Sequence, residues 1–182
     1  MIIGSVKELK NFENRVGLMP SHAGEYIKNG HKVYVEKGLG LGSGFSDQEY
    51  QDAGCTLYDD AGDVWASVDM MVKVKEPIES EYGYLRQGLI LFTYLHLADN
   101  PRLTQELLRN GVSAMAYETV VDKNNQLPLL KPMSEVAGRL SIQEGSKYLE
   151  KTYGGKGILL SGVPGVRGGH VVVLGGGVVG LS

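Results

Sequence analysis

Several groups of residues in this chain have side chains and spacings suited to chemistry. Arg15 follows Asn14 and precedes Val16, in a loop between a first apolar run and Pro20. A guanidinium there can grip a carboxylate through two parallel hydrogen bonds, although spacing alone fits a solvated surface arginine better. Lys73 and Lys75 alternate with Val72 and Val74. On a strand this period of two puts both ammonium groups on one side. Glu76-Pro77 ends that strand and sets Lys75 at the rim of a sheet, where α/β folds bind ligands. A solvated strand face is the equal alternative. His96 closes the run LILFTYL, residues 89–95, where an imidazole can do acid–base work near neutral pH. A satisfied core histidine fits that position equally well. His22, His31 and His170 lie near turns, and Tyr117-Glu118 closes the next strand, placed to orient neighbours. Gly175, Gly177 and Gly180 match G-x-G-x-x-G directly after VVVL, residues 171–174. That order suits a tight turn at Gly175, close approach of a pyrophosphate at Gly177, and close helix–strand packing at Gly180. A flexible glycine turn is the competing reading.

An Arg, a Lys and a His at the ends of separate strands suggest one pocket for a small carboxylate. In an enzyme their roles would divide. Arg15 would hold the carboxylate, Lys75 would steady the substrate oxygens, and His96 would move a proton as an amine becomes an imine or an alcohol a ketone.

The elements that must position these groups alternate along the chain. Residues 2–6, 32–36, 70–75, 89–95 and 112–117 read as strands, the run at 89–95 being apolar enough for burial on both faces. Residues 23–28, 47–53, 63–67, 79–86 and 101–109 read as helices, the last with Pro101 in its first turn and Asn110-Gly111 at its end. The longest helical pattern spans 134–151, with Val136, Leu140, Gly145, Tyr148 and Leu149 as inward positions. A Gly-rich stretch follows, and residues 171–174 read as a short buried strand. This rhythm predicts an α/β fold, a Rossmann-like parallel sheet with flanking helices. Residues 1–130 form the first domain. Residues 131–182 hold a connecting helix and the truncated start of a second, dinucleotide-binding Rossmann domain.

Composition narrows the function. The chain has 182 residues, a formal net charge of −3, 42% apolar and 21% charged residues, and a single cysteine, Cys55. That apolar fraction supports a packed core, and the mild acidity gives no electrostatic reason to expect nucleic acid or an anionic membrane surface. No apolar run approaches the roughly 20 residues of a membrane helix, and residues 1–7 are too quickly polar for a signal peptide. A lone cysteine forms no internal disulfide, and no metal-binding cluster stands out. These features predict a cytoplasmic protein.

The ordered blocks taken together resemble NAD-dependent alanine dehydrogenase. They are Lys7-Glu8, Glu13-Asn14-Arg15-Val16, GLGLGSGF at 38–45, VKVKEP at 72–77, LFTYLHLA at 91–98, AYET at 116–119, PMSEVAGR at 132–139, GVPGV at 162–166 and the terminal glycine motif. The resemblance covers essentially the whole chain. It implies oxidative deamination of L-alanine to pyruvate and ammonium, with NAD as hydride acceptor. It also implies a two-domain subunit assembled as a homo-oligomer, usually a hexamer, whose substrate domain includes a returning C-terminal segment. Arg15, Lys75 and His96 stand where that family keeps its substrate and proton-transfer residues, and Ser134 stands where it contacts the cofactor. The transhydrogenase α subunit looks similar around Arg15-Val16 and the glycine motif, but generally lacks this lysine and histidine. Lys75 and His96 therefore favour alanine dehydrogenase.

Two departures are small: Gly17 replaces a more usual Ala, and Ser5-Val6 a Val-Pro pair. A third is large. The acidic residue that binds the ribose, about 20 residues beyond such a glycine motif, has no counterpart here, nor has the family's further catalytic aspartate. The expectation is a truncated chain that binds NAD poorly, turns over no alanine by itself, and self-associates or is locally disordered after about Gly154. A non-catalytic relic that binds carboxylates or partner subunits is the alternative.

Overall fold

A computed structural model describes all residues, Met1–Ser182. The chain divides into two compact units, Met1–Val120 and Val121–Ser182.

The first unit is built on a six-stranded sheet. Its strands are β1 (Ile2–Ser5), β2 (Lys32–Glu36), β3 (Thr56–Tyr58), β4 (Met70–Val72), β5 (Ile90–Thr93) and β6 (Ser113–Ala116), in the order β3-β2-β1-β4-β5-β6. Every pairing is parallel. Period two divides the strand side chains between two cores. Val72 joins Ile3, Val33 and Val35 against Ala23 and Tyr50, from helices α1 (Pro20–Lys28) and α2 (Asp47–Asp52). Met71 joins Leu91 and Leu95 against Val64, Trp65, Leu103 and Leu107, from α3 (Ala61–Ser67) and α4 (Pro101–Arg109). Both faces are thus covered, as an all-parallel sheet requires.

Local chemistry fixes the helix ends. Ser46 and Glu49 close a capping box on α2, Asp60 caps α3 at the Gly62 amide, and Asn100 caps α4 at the Leu103 amide. After α1 the chain turns through Gly30 at φ +82°, a left-handed conformation that suits glycine. The strand order reverses between β1 and β4. In open α/β sheets the crevice outside the carboxyl ends at such a reversal is where ligands bind.

The second unit holds α5 (Lys131–Tyr148) and the short α6 (Val178–Leu181). Gly138 lets them touch, since a Cβ there would stand 2.3 Å from the Val179 carbonyl oxygen.

Several elements differ from the sequence expectation. The α/β parallel sheet forms, with β3 as an added edge strand too short to read from three residues. Strand β4 stops at Val72, so Lys73 and Lys75 lie beyond it. Residues 79–84 wind as a 3₁₀ turn, not an α-helix. Helix α5 starts three residues early, with Pro132 in its first turn. Its expected inward side chains Val136, Leu140 and Tyr148 are exposed, because within this unit only Gly138 is buried on the helix. Residues 171–174 form no strand: they are exposed and no neighbouring strand offers them a ladder, without which an isolated strand has no stability.

Candidate active site

The carboxyl ends of β1, β4, β5 and β6 are adjacent, and the charged residues cluster there. Ladder bonds run past the end of β4: the Lys73 amide donates to the Phe92 carbonyl at 3.1 Å, and the Tyr94 amide to Val74 at 3.2 Å. Residues 73–75 therefore lie alongside 92–94.

Arg15 lies in the segment after β1. Its guanidinium faces Glu13, with Nε to Oε1 at 2.8 Å and an Nη2 contact to Oε2 at 2.5 Å, and its own amide donates to Oε1 at 3.0 Å. The Arg15 hydrogen bond holds the Glu13 carboxyl below its usual range, against a smaller opposing effect of burial; Lys75 adds to the lowering by its charge. Lys75 thus lies within electrostatic reach of this pair. It is half-buried and makes no ion pair of its own.

Lys73, which spacing placed beside Lys75 at the rim, is instead buried. Its ammonium lies 2.7 Å from Glu81 and 3.6 Å from Glu8. The strand has already ended, so the two lysines no longer share a face, and the buried one is paired. Glu8 also accepts from the Val74 amide at 2.6 Å. Burial pushes its carboxyl up, opposed by Lys73 and the amides of Val74 and Lys75.

His96 follows β5 at φ +49°, a left-handed conformation unusual for a non-glycine residue. Two carboxylates hold it. Glu118, after β6, accepts from the Leu95 amide at 3.0 Å and the His96 amide at 2.8 Å. Glu76, after β4, lies 3.1 Å from the imidazole Nδ1 and also receives Lys10. The Tyr94 ring stacks near His96 with centroids 6.2 Å apart and meets Tyr117 edge-on at 4.9 Å. Burial pushes the Tyr94 hydroxyl above its ordinary range, opposed by the nearby Arg15 guanidinium. Arg15, Lys75 and His96 therefore share one edge of the sheet, linked through Glu13, Tyr94 and Glu76.

The sequence reading gave no role to Glu8, Glu13 or Glu76. The available signal was acids placed beside cations at strand ends: Glu13 two before Arg15, and Glu76 directly after Lys75.

In the second unit, Gly175 turns at φ +108°, and a Cβ on Gly180 would stand 2.1 Å from the Gly175 carbonyl oxygen and 3.4 Å from Val173. Gly177 precedes α6, and a Cβ there would meet nothing within 4 Å. The backbone is thus tight at Gly175 and Gly180 and open at Gly177. Ser134, in the first turn of α5, points back to the Leu130 carbonyl at 3.4 Å.

Residues 4–137 match the family model "Alanine dehydrogenase/PNT, N-terminal domain", and residues 141–182 match "Alanine dehydrogenase/PNT, C-terminal domain". The chain is 57% identical to the alanine dehydrogenase of Bacillus subtilis and 53% identical to that of Methanococcus maripaludis, in each case over all 182 residues. It covers 48% and 49% of those proteins, so it spans about half the length of the curated relatives it matches. A solved L-alanine dehydrogenase superposes with a TM-score of 0.93 at 53% identity, over all of this chain and 50% of that one. A transhydrogenase from Sinorhizobium meliloti shares the fold at a TM-score of 0.72 and 24% identity, over 81% of this chain and 44% of that one. The chain belongs to the alanine dehydrogenase/PNT family.

Proposed function

We propose that the first unit binds a small 2-oxo or 2-amino carboxylate, pyruvate or L-alanine, and that residues 1–130 are the substrate domain of an NAD-dependent alanine dehydrogenase. Residues 131–182 would then be the connecting helix and the beginning of the NAD-binding domain. The observation that carries this reading is Lys75: a half-buried lysine without an ion pair, just past the end of β4 beside the switch point of the sheet, with His96 directly after β5 and Arg15 in the segment after β1. Burying even part of a cation without a partner is unfavourable, and an anionic ligand would offset that cost.

On this reading the three side chains divide the work. Arg15 receives the carboxylate through its fork, in exchange with or beside Glu13. Lys75 polarises the oxygen or nitrogen on the reacting carbon. His96 takes or returns the proton of that group. The backbone of Gly175, Gly177 and Gly180, with Ser134, would hold the phosphates and adjoining part of NAD, which when bound supplies the hydride acceptor. The turn at Gly175 and the open backbone at Gly177 support the phosphate part of this reading.

We further place the working protein in the cytoplasm as a homo-oligomer, a hexamer by family resemblance. No helix of the structure is long and apolar enough to cross a membrane.

The test is titration of the 182-residue protein with pyruvate, followed by amide NMR. Saturable shifts are expected at residues 13–16, 73–76, 94–97 and 117–119, and their loss in Arg15→Met. An unsaturable or scattered response would overturn the reading. The purified chain, which spans about half the length of its curated relatives, is expected to give no alanine-dependent NADH, and robust turnover would contradict that expectation.

A further inference from the structure

We propose that Glu76 is the positioning residue that fixes the tautomer of His96, holding the proton on Nδ1 and leaving Nε2 as the nitrogen that exchanges a proton with substrate. The proton-transfer part of this assignment rests on the reading given under Proposed function; the tautomer does not.

The argument starts from hydrogen-bond inventory. An ionised carboxylate only accepts, so the imidazole nitrogen facing it must donate. The Glu76 Oε2 lies 3.1 Å from Nδ1, and its other oxygen faces Lys10. Glu76 stays ionised: burial acts to raise its carboxyl, and the Lys10 ammonium, its own backbone amide and the His96 ring outweigh that. The side chain is only 10% exposed, whereas that of His96 is 44% exposed. One ring nitrogen is therefore tied inward to a buried carboxylate, and the ring has an open side for a ligand.

The remaining neighbours fix the ring's place without competing for Nδ1. Glu118 spends its oxygens on the backbone amides of Leu95 and His96. Tyr94 stacks on the ring. Lys10 meets Glu76 and not the imidazole. Neutral His96 thus carries its lone pair on Nε2. When Nε2 accepts one proton, the ring becomes the imidazolium and Nδ1–H stays on Glu76. No proton passes to the carboxylate, which stabilises the cation by its charge and the retained hydrogen bond. Carboxylates orient catalytic histidines in this way in other sites, fixing the tautomer by a second hydrogen bond.

The experiment is two-bond proton–nitrogen correlation NMR on the 182-residue chain, with the ring nitrogens of His96 assigned through His96→Gln. The expected pattern for the neutral wild-type ring is a pyrrole-type Nδ1 and a pyridine-type Nε2. In Glu76→Gln the amide can either donate or accept, and the two nitrogen shifts should move toward each other as the tautomers mix. Lys10→Met, which leaves the carboxylate in place, should preserve the Nδ1–H pattern and covers the case in which Glu76→Gln misfolds. Glu118→Gln should also leave the ring shifts in the wild-type pattern, since that carboxylate binds backbone only. A wild-type ring with its proton on Nε2, or a Glu76→Gln ring unchanged from wild type, overturns the assignment. Pyruvate titration of the same samples separates the two claims. An Nδ1–H ring with no pyruvate response supports the tautomer and removes the carboxylate-site reading. A saturable pyruvate response with an Nε2–H ring removes the assignment of Glu76 alone.

Discussion

Replacing Lys73 by Met tests the charge balance beneath the site. Lys73 is 1% exposed, and its two partners Glu8 and Glu81 have side chains 2% and 5% exposed. Met keeps most of the volume and removes the only ammonium in the group. Two buried carboxylates then face each other without a cation. Removing one partner of a buried pair costs about 3–5 kcal/mol, which is a large share of the roughly 5–15 kcal/mol that stabilises a domain. The loss should depend on pH. Glu8 already titrates above the ordinary range because burial outweighs Lys73 and the amides of Val74 and Lys75. Without Lys73 it moves further up. Between its unfolded and folded values the native protein holds a proton that the unfolded chain has released, so raising the pH favours unfolding. The stability of the variant should fall by about 1.4 kcal/mol per pH unit through that window, and be nearest to wild type in mild acid. Trp65 is the only tryptophan and is buried in the first unit, so urea unfolding followed by its fluorescence reports this unit alone. A loss at pH 7 under about 1 kcal/mol would refute the buried-triad reasoning, as would a difference between variant and wild type that stays flat from pH 5 to 7.

Other perturbations read separate parts of the argument. Arg15→Lys replaces the fork with a point charge, and should raise the Kd for pyruvate read from the NMR titration about tenfold or more, corresponding to about 1.4 kcal/mol; equal affinity would mean the fork does not meet the carboxylate. Glu118→Gln weakens the acceptor for two amides, and amide hydrogen exchange at Leu95 and His96 should quicken selectively. Ser46→Ala opens the capping box on α2 and should cost about 1 kcal/mol in the same urea assay.

Much of the first unit was legible because its signals are local. KVYVE at 32–36 and PRLTQELLR at 101–109 are elements whose ends the structure keeps unchanged, one from branched and aromatic residues, the other from Pro at its start and Asn-Gly after its end. Thr56–Tyr58 was missed because three residues carry no periodicity, and only pairing with Tyr34, Val35 and Glu36 makes them a strand. The opposite error, at residues 171–174, has the same cause: VVVL has strand composition, and the ladder that makes a strand must come from elsewhere in space. The left-handed turn at His96 was unreadable for a related reason. It is held by Glu118, 22 residues away, and nothing near position 96 announces it.

The candidate residues could be named by type and not by partner. Arg15, Lys75 and His96 were singled out as two cations and an imidazole near strand ends, each beside a solvated or core reading that fits as well or better. What distinguishes Lys75 from Lys73 is invisible at period two, since both alternate with valine. The distinction is made by carboxylates distant in sequence. Glu8, 65 residues before Lys73, and Glu81, eight after it, draw that lysine inward, while Glu13 is claimed by Arg15 and Glu76 by Lys10 and His96. Lys75 is left without an ion pair while Glu8, Glu13 and Glu76 pair elsewhere and Glu118 takes the backbone amides of Leu95 and His96. An anionic ligand arriving at this edge therefore need displace no partner at Lys75, whereas at Arg15 it must share the guanidinium with Glu13. The order of strength this predicts, Lys75 as the charge that attracts the ligand and Arg15 as the fork that orients it, can be separated by salt. The contribution of Lys75 should shrink as ionic strength rises toward the range where the Debye length falls to about 3 Å, while the short bonds of Arg15 should persist. If Lys75→Met loses as much affinity in 1 M salt as in dilute buffer, that division is wrong, and Lys75 too must act through direct contact.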